Sequence, residues 1–198
     1  MPRWIPRAEE RLRDAAVELF LERGFENVTV TDITERAGLT RRTFSRYFTD
    51  KRDVLFAGSE QLADAVRDAV AAADEDLGPW DATVTALRDV GDQLVRNVPT
   101  AGSRRVVIGT SAELQERERT KFALVAAGIA EALRGRGTPA PLAEVLAEVC
   151  VTALRAAFER WLDGAGTVAF SSVFDDVTAE LAAALSGAQH RSDSVSRG

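Results

Sequence analysis

Apolar residues recur at three- and four-residue steps along almost the whole chain, and nowhere do they alternate in a sustained way. That single periodicity excludes a sheet and predicts an all-α protein of about nine helices. The predicted spans are 7–23, 29–37, 40–47, 50–73, 80–98, 104–116, 117–134, 142–163 and 167–185, with a polar, unstructured tail over 186–198. Punctuation agrees with the period. Gly24 follows Arg23 as a helix stop, Gly38 follows Ala37, and Gly164-Ala165-Gly166 closes the 142–163 helix. Asp74-Glu75-Asp76-Leu77-Gly78-Pro79 and Gly135-Arg136-Gly137-Thr138-Pro139 are loops, and Pro99-Thr100-Ala101-Gly102 ends another helix.

Residue scarcity excludes several chemistries. The 198 residues include one histidine, His190, placed in the polar tail, and one cysteine, Cys150. No Ser-His-Asp triad, Cys-His pair, zinc cluster or intrachain disulfide can be assembled from them. Neither a GxxxxGK[ST] loop nor a GxGxxG fingerprint is present. The reading is therefore of a non-enzyme with no cofactor and no metal. An all-α enzyme would need a catalytic constellation, and Asp74-Glu75-Asp76 reads instead as solvated loop charge. The N-terminal Met-Pro-Arg-Trp-Ile-Pro-Arg is not followed by an apolar stretch, and the run Ala123–Ala130 is far too short to span a bilayer. A cytoplasmic protein with no membrane partner is expected.

Charge is unevenly distributed. The net charge is −6, yet residues 1–52 hold 11 basic and 9 acidic residues, whereas residues 53–198 hold 14 basic and 22 acidic. A basic segment on an acidic body points to local contact with an anion. Within it, residues 29–48 form two short helices around the tight turn Ala37-Gly38-Leu39-Thr40. Thr29 with Asp32 makes a capping-box start, and Thr40 caps the second helix. Val30, Ile33, Ala37, Leu39, Phe44 and Phe48 face inward. Arg41, Arg42, Thr43, Ser45, Arg46 and Tyr47 remain outside, a set suited to phosphate and base-edge contact. This is helix-turn-helix geometry, in which the second helix enters the DNA major groove.

From Ala16 to Leu55 the sequence resembles the TetR family of bacterial transcription regulators, through Phe20, Gly24-Phe25, Thr29-Val30, Ile33, Ala37-Gly38, Thr43-Phe44, Tyr47-Phe48 and Lys51. The resemblance implies phosphate contacts from Thr29 and Thr31. It implies a groove-facing start at Thr40, Arg41, Arg42 and Thr43, and a backbone grip by Tyr47 and Lys51. The family often carries Tyr where this chain has Ser45 and a His or aromatic where it has Arg46, so base reading is open between those two. The expected division is a DNA-binding domain over 1–52, a ligand-binding and dimerisation domain over 53–187, and a polar tail over 188–198.

The stretch from Ala153 to Leu162, followed by Gly164-Ala165-Gly166, resembles the mycofactocin-regulator subgroup of that family, which implies an acyl-CoA-like effector. Candidate lining residues are Leu62, Trp80, Leu87, Leu94, Val107, Leu114 and Phe122, with Arg104 near a helix start to meet phosphate. Val145, Val149, Leu154, Phe158 and Trp161 line one of the last two helices. Phe170, Val173, Phe174, Val177, Leu181 and Leu185 line the other. These eleven predict a symmetric homodimer on a near-palindromic DNA operator, because one recognition helix reads too few base pairs. The expectation is thus a ligand-responsive, homodimeric transcriptional repressor, against the alternative of a DNA-binding protein without ligand control.

Overall fold

A computed structural model describes residues 7–56, 59–97 and 101–195, all of whose regular structure is helical. The helices are α1 (Ala8–Arg23), α2 (Val30–Arg36), α3 (Arg41–Tyr47), α4 (Asp53–Phe56), α5 (Ser59–Ala71), α6 (Pro79–Asn97), α7 (Ala101–Gly109), α8 (Ala112–Gly135), α9 (Ala140–Asp163) and α10 (Phe170–Val195). The expectations for residues 1–6, for the stop at Pro99-Thr100 and for residues 196–198 lie outside the described residues. Among the described residues no helix is long and apolar enough to cross a membrane, and no cluster of metal-ligating side chains occurs.

Helix ends follow the local chemistry. Gly24, at φ 80°, closes α1 by donating its amide to the Phe20 carbonyl. Asp50 accepts from the amides of Arg52 (2.8 Å) and Asp53 (3.0 Å), and Asp53 in turn accepts from the Thr49 amide at 3.0 Å, so α4 begins where the sequence places the fourth helix. That predicted 50–73 helix is described as α4 and α5, with residues 57–58 undescribed.

Several boundaries differ from expectation: α7 starts at Ala101, so Ala101-Gly102 are helical rather than part of a loop, and α10 starts at Phe170 rather than Thr167. α7 ends at Gly109 and α8 starts at Ala112, so the break falls at Thr110-Ser111 rather than near Glu116. Ser111 there accepts the amide of Gln115 on its carbonyl at 3.0 Å, as an N-cap residue does. α10 continues through Val195, past the expected end at Leu185 and into the segment expected to be unstructured. No proline interrupts 186–195, and Ala188, Gln189 and Arg191 are favourable helix formers.

The chain divides into two compact units. The first takes residues 1–62 and 98–122. Its core joins Leu12, Leu19 and Phe20 of α1 to Ile33, Phe44 and Phe48, and adds Val54, Leu55 and Phe56 of α4 together with Val107, Ile108 and Leu114 of α7 and α8. The second unit takes residues 63–97 and 123–198. There α6 and α9 pack on α10, and α8 lies so close to α5 that a Cβ on Gly128 would sit 3.2 Å from the Ala63 carbonyl oxygen. Arg136 fixes the acidic 74–77 loop by donating to the carbonyls of Ala73 (2.5 Å), Asp74 (2.7 Å) and Leu77 (3.3 Å). Ion pairs Arg88–Asp175 and Arg160–Glu180 tie α10 to α6 and α9. Cys150 is buried in α9, and burial pushes its thiol up to about 12.

At the centre of the second unit the buried Phe170 ring lies directly over Gly91 of α6. A Cβ there would come within 2.2 Å of the ring. Gly91→Ala should therefore destabilise the chain by about 1–3 kcal/mol through overpacking, despite alanine's better helix propensity. Urea denaturation checks this, through a lower midpoint at unchanged slope.

Candidate nucleic-acid interface

Helices of seven residues need caps, and α2 and α3 each have one. At α2 the Thr29 hydroxyl accepts from the Asp32 amide at 3.2 Å, while the Thr29 amide donates to the Asp32 carboxylate at 2.8 Å. The Thr29 hydroxyl also donates to that carboxylate, and Arg23 lies 3.6 Å away. These bonds, the Thr29 hydroxyl first and its amide second, hold the Asp32 carboxyl below the usual carboxylate range. At α3 the Thr40 hydroxyl accepts from the Thr43 amide at 3.1 Å.

The turn between the two is fixed from both sides. Gly38 adopts φ 62°, a left-handed conformation that side chains disfavour. The Leu39 amide donates to the Thr34 carbonyl at 2.8 Å, and Arg11 reaches across from α1 to donate to the Ala37 carbonyl at 2.5 Å. A Cβ on Gly38 would crowd that guanidinium at 3.2 Å. Arg36 forms ion pairs with Glu22 (2.7 Å) and Glu18 (3.3 Å), which tie α2 along α1.

On this frame Phe44 and Phe48 are buried, their rings 5.4 Å apart, and the opposite face of α3 is open. Arg41, Arg42, Ser45 and Arg46 are exposed there, with Thr43 and Tyr47 half-buried. Arg46 donates to the Tyr47 phenol oxygen at 2.6 Å and lies over its ring, which orients both side chains together. Thr29, Thr31 and Thr40 are exposed at the starts of α2 and α3. Nine of the ten residues singled out from the sequence thus belong to α2, α3 and their caps. Lys51 is placed otherwise. Its ammonium donates to the carbonyls of Phe25 (2.7 Å), Val28 (3.0 Å) and Glu26 (3.3 Å) and lies 4.3 Å from the centroid of the Phe25 ring. That uses all three of its N–H bonds and sets the loop between α1 and α2.

The remaining candidates divide between the units. Leu62, Arg104, Val107, Leu114 and Phe122 fall in the first, and Trp80, Leu87 and Leu94 in the second. Val107 and Leu114 belong to the core that carries Phe44, and Leu87 is buried. Of the residues assigned to a dimer face, Phe170 and Phe174 are buried within the chain, their rings stacked 6.0 Å apart. Leu154 and Val177 are nearly so, and Val149, Phe158, Trp161 and Leu181 are half-buried. Among the described residues the exposed large apolar side chains on α9 and α10 are Leu142, Val145 and Leu185. Lys121 and Glu118 of α8 gather around Arg104 and were not anticipated; the run ERERTK reads locally as a solvated face.

Residues 12–57 match the family described as bacterial regulatory proteins, tetR family, and residues 77–186 match the MftR C-terminal domain. Over 43 residues the chain is 44% identical to the mycofactocin biosynthesis transcriptional regulator MftR of Mycobacterium tuberculosis, a stretch that is 22% of each protein. The curated relatives it matches are thus aligned over about a fifth to a third of their own length. Its fold is similar to that of the fatty acid degradation regulator FadR of Bacillus halodurans, with TM-score 0.59 and 16% identity over 88% of this chain and 94% of that one. It is similar also to FadR of Bacillus subtilis in complex with stearoyl-CoA, with TM-score 0.56 and 15% identity over 85% of this chain and 94% of that one.

The Asp32 carboxylate gives the cap of α2 a definite pH response. A carboxyl lowered in the folded state stabilises above its unfolded value of 3.8 and loses that contribution as pH falls through the folded value. Amide protection in α2 should be steady near about pH 6 and drop selectively in acid. Asp32→Asn, which cannot carry the charge, should flatten that step in hydrogen exchange.

Proposed function

The chain belongs to the TetR family of bacterial regulatory proteins and carries the MftR-type C-terminal domain, and on that premise we propose a ligand-responsive repressor that binds a near-palindromic operator as a homodimer in the cytoplasm. DNA binding is assigned to residues 1–52, and effector binding and dimerisation to residues 53–187. The observation that carries the reading is the open face of α3. Arg41, Arg42 and Arg46 stand exposed on a capped helix whose other face is anchored by Phe44 and Phe48. Arginines at the start of such a helix suit bidentate contact with guanine and contact with phosphate. Thr29, Thr31, Thr40, Thr43 and Tyr47 supply hydroxyls for the backbone, and Ser45 and Arg46 share the base-reading positions. Lys51 acts by positioning the loop that leads into α2.

An acyl-CoA-type effector is supported by the match to the MftR domain and by the fold shared with a regulator that holds stearoyl-CoA. Such a ligand lowers DNA affinity only by its preference for the DNA-incompetent conformation. Calorimetry with a long-chain acyl-CoA, then gel shift of the operator complex, tests this. Binding no tighter than that of free CoA, or an intact DNA complex, removes the acyl-CoA assignment.

Arg41→Ala and Arg42→Ala should each cost about 1–3 kcal/mol of operator discrimination without loss of helicity. Wild-type binding should weaken as salt rises, because phosphate contacts release counterions. Gel-shift titration on the protein's own promoter at two salt concentrations checks both, and unchanged affinity in both variants removes the recognition-helix assignment. For the dimer, Val145 is 61% exposed and Leu142 47% on α9. Val145→Glu should convert a dimer to a folded monomer in sedimentation, whereas a wild-type monomer at micromolar concentration overturns the homodimer.

A further inference from the structure

Arg104 of α7 is held inside the first unit in an unusual state. Its Nε donates to the Leu55 carbonyl at 2.6 Å, which locks the plane of the guanidinium. Its side chain is only 15% exposed, and Nη2 is buried with no hydrogen-bond partner. Glu118 approaches Nη2 only to 3.8 Å, too far to satisfy the N–H. Phe56 covers the group, with its ring centroid 5.2 Å from Cζ. A buried donor left open costs free energy, and a cation in such a place calls for a counter-charge.

A second cation lies beside it. Lys121, three residues after Glu118 on α8, is brought down to about 8 by burial and then by the positive charge of Arg104, with Glu118 opposing. Burial and the charge of Arg13 on α1 lower Arg104 too, against Glu118. Arg117 faces Phe56 from α8 but is paired with Asp53 of α4 at 3.6 Å. Among the described residues, the half-buried Arg104 and Lys121 have Glu118 as their common acidic neighbour, next to an unfilled donor.

We propose that Arg104 and Lys121 form a receptor for an oxyanion, a carboxylate or a phosphate, carried by the effector, which docks on Nη2 of Arg104 and Nζ of Lys121. The proposal rests on the reading of the chain as effector-responsive and adds the chemistry that the effector must present. Arg104 offers a fixed N–H direction, and Lys121 offers charge on a flexible stem. The anion satisfies the open donor, and Phe56 flanks it with apolar surface. The two cations set the selectivity: an oxyanion gains charge-assisted hydrogen bonds there that a neutral polar group does not.

The test uses the full chain and three probes that share one alkyl tail: decanoate, decyl phosphate and decan-1-ol. By calorimetry at pH 8, one or both of the anionic probes should bind at least about tenfold tighter than the alcohol, the advantage expected of a hydrogen bond to a charged group. Whichever anion binds tighter identifies the natural head group as carboxylate or phosphate. Because an anion beside Lys121 raises its proton affinity, binding should also take up protons, seen as a dependence of the heat on buffer ionisation enthalpy. Lys121→Met keeps the apolar stem, and should lose both the anion preference and the proton uptake while binding the alcohol as before. Arg104→Lys, which keeps the charge but not the fork, should lose most of the preference. Equal binding of the three probes overturns the receptor, as does an anion preference that survives in Lys121→Met. DNA release is scored separately by gel shift, so a chain that binds decanoate yet keeps its operator retains the receptor and loses the effector reading.

Discussion

Seven residues make two turns of helix, too few to persist in water, and everything on the candidate DNA-binding face depends on how α2 and α3 are kept folded. Caps supply part of the answer, but most of it is burial. Ile33, Ala37, Phe44 and Phe48 enter a core built by Leu12, Leu19 and Phe20 of α1 on one side and by Val107, Ile108 and Leu114 of α7 and α8 on another. At about 25 cal/mol per Å² of apolar surface removed from water, two buried phenylalanines outweigh the contribution of either cap. Arg11 and Arg36 then fix α2 and its turn against α1 through the Ala37 carbonyl and Glu22. The exposed arginines of α3 hold their direction because the phenylalanines behind them cannot move.

The same core joins α3 to residues far along the chain. α7 carries both Arg104 and the core residues Val107 and Ile108, and Arg52 beside α4 pairs with Glu113 of α8. A displacement of α7 or α8 is therefore felt at Phe44 through close-packed side chains, which transmit strain rather than absorb it. The proposed receptor at Arg104 thus has a physical route to the exposed face of α3 that lies wholly inside one unit.

Features set by neighbouring residues were legible in the sequence. Gly24, the Thr29–Asp32 box, Gly38, Thr40 and Asp50 all act within four residues of their own position, and the structure finds each in its expected place. Features set by distant partners were not. Nothing near Lys51 announces that its ammonium will meet the carbonyls of Phe25, Glu26 and Val28. Val107 and Leu114 look like any apolar residues at helical spacing, and only the fold shows that they join the core of α1. Lys121 follows four charged residues in a row of five and reads as solvated until Arg104 is placed beside it. The α7–α8 break was misplaced because the period continues across it, although Gly109 and Ser111 carry a local signal.

The discontinuity of the first unit bears on how such proteins can be recombined. Its residues come from 1–62 and from 98–122, so the helix-turn-helix segment is not a detachable cassette. A chimera that joins residues 1–62 to a foreign effector domain would present α1 and Phe48 with strangers where Val107, Ile108 and Leu114 had been, and would inherit a vacancy in the core at the moment of fusion. Grafting both pieces, with a donor body spliced between and after them, preserves the complementarity. Moving this helix-turn-helix segment with its core intact is therefore a two-part graft, 1–62 together with 98–122.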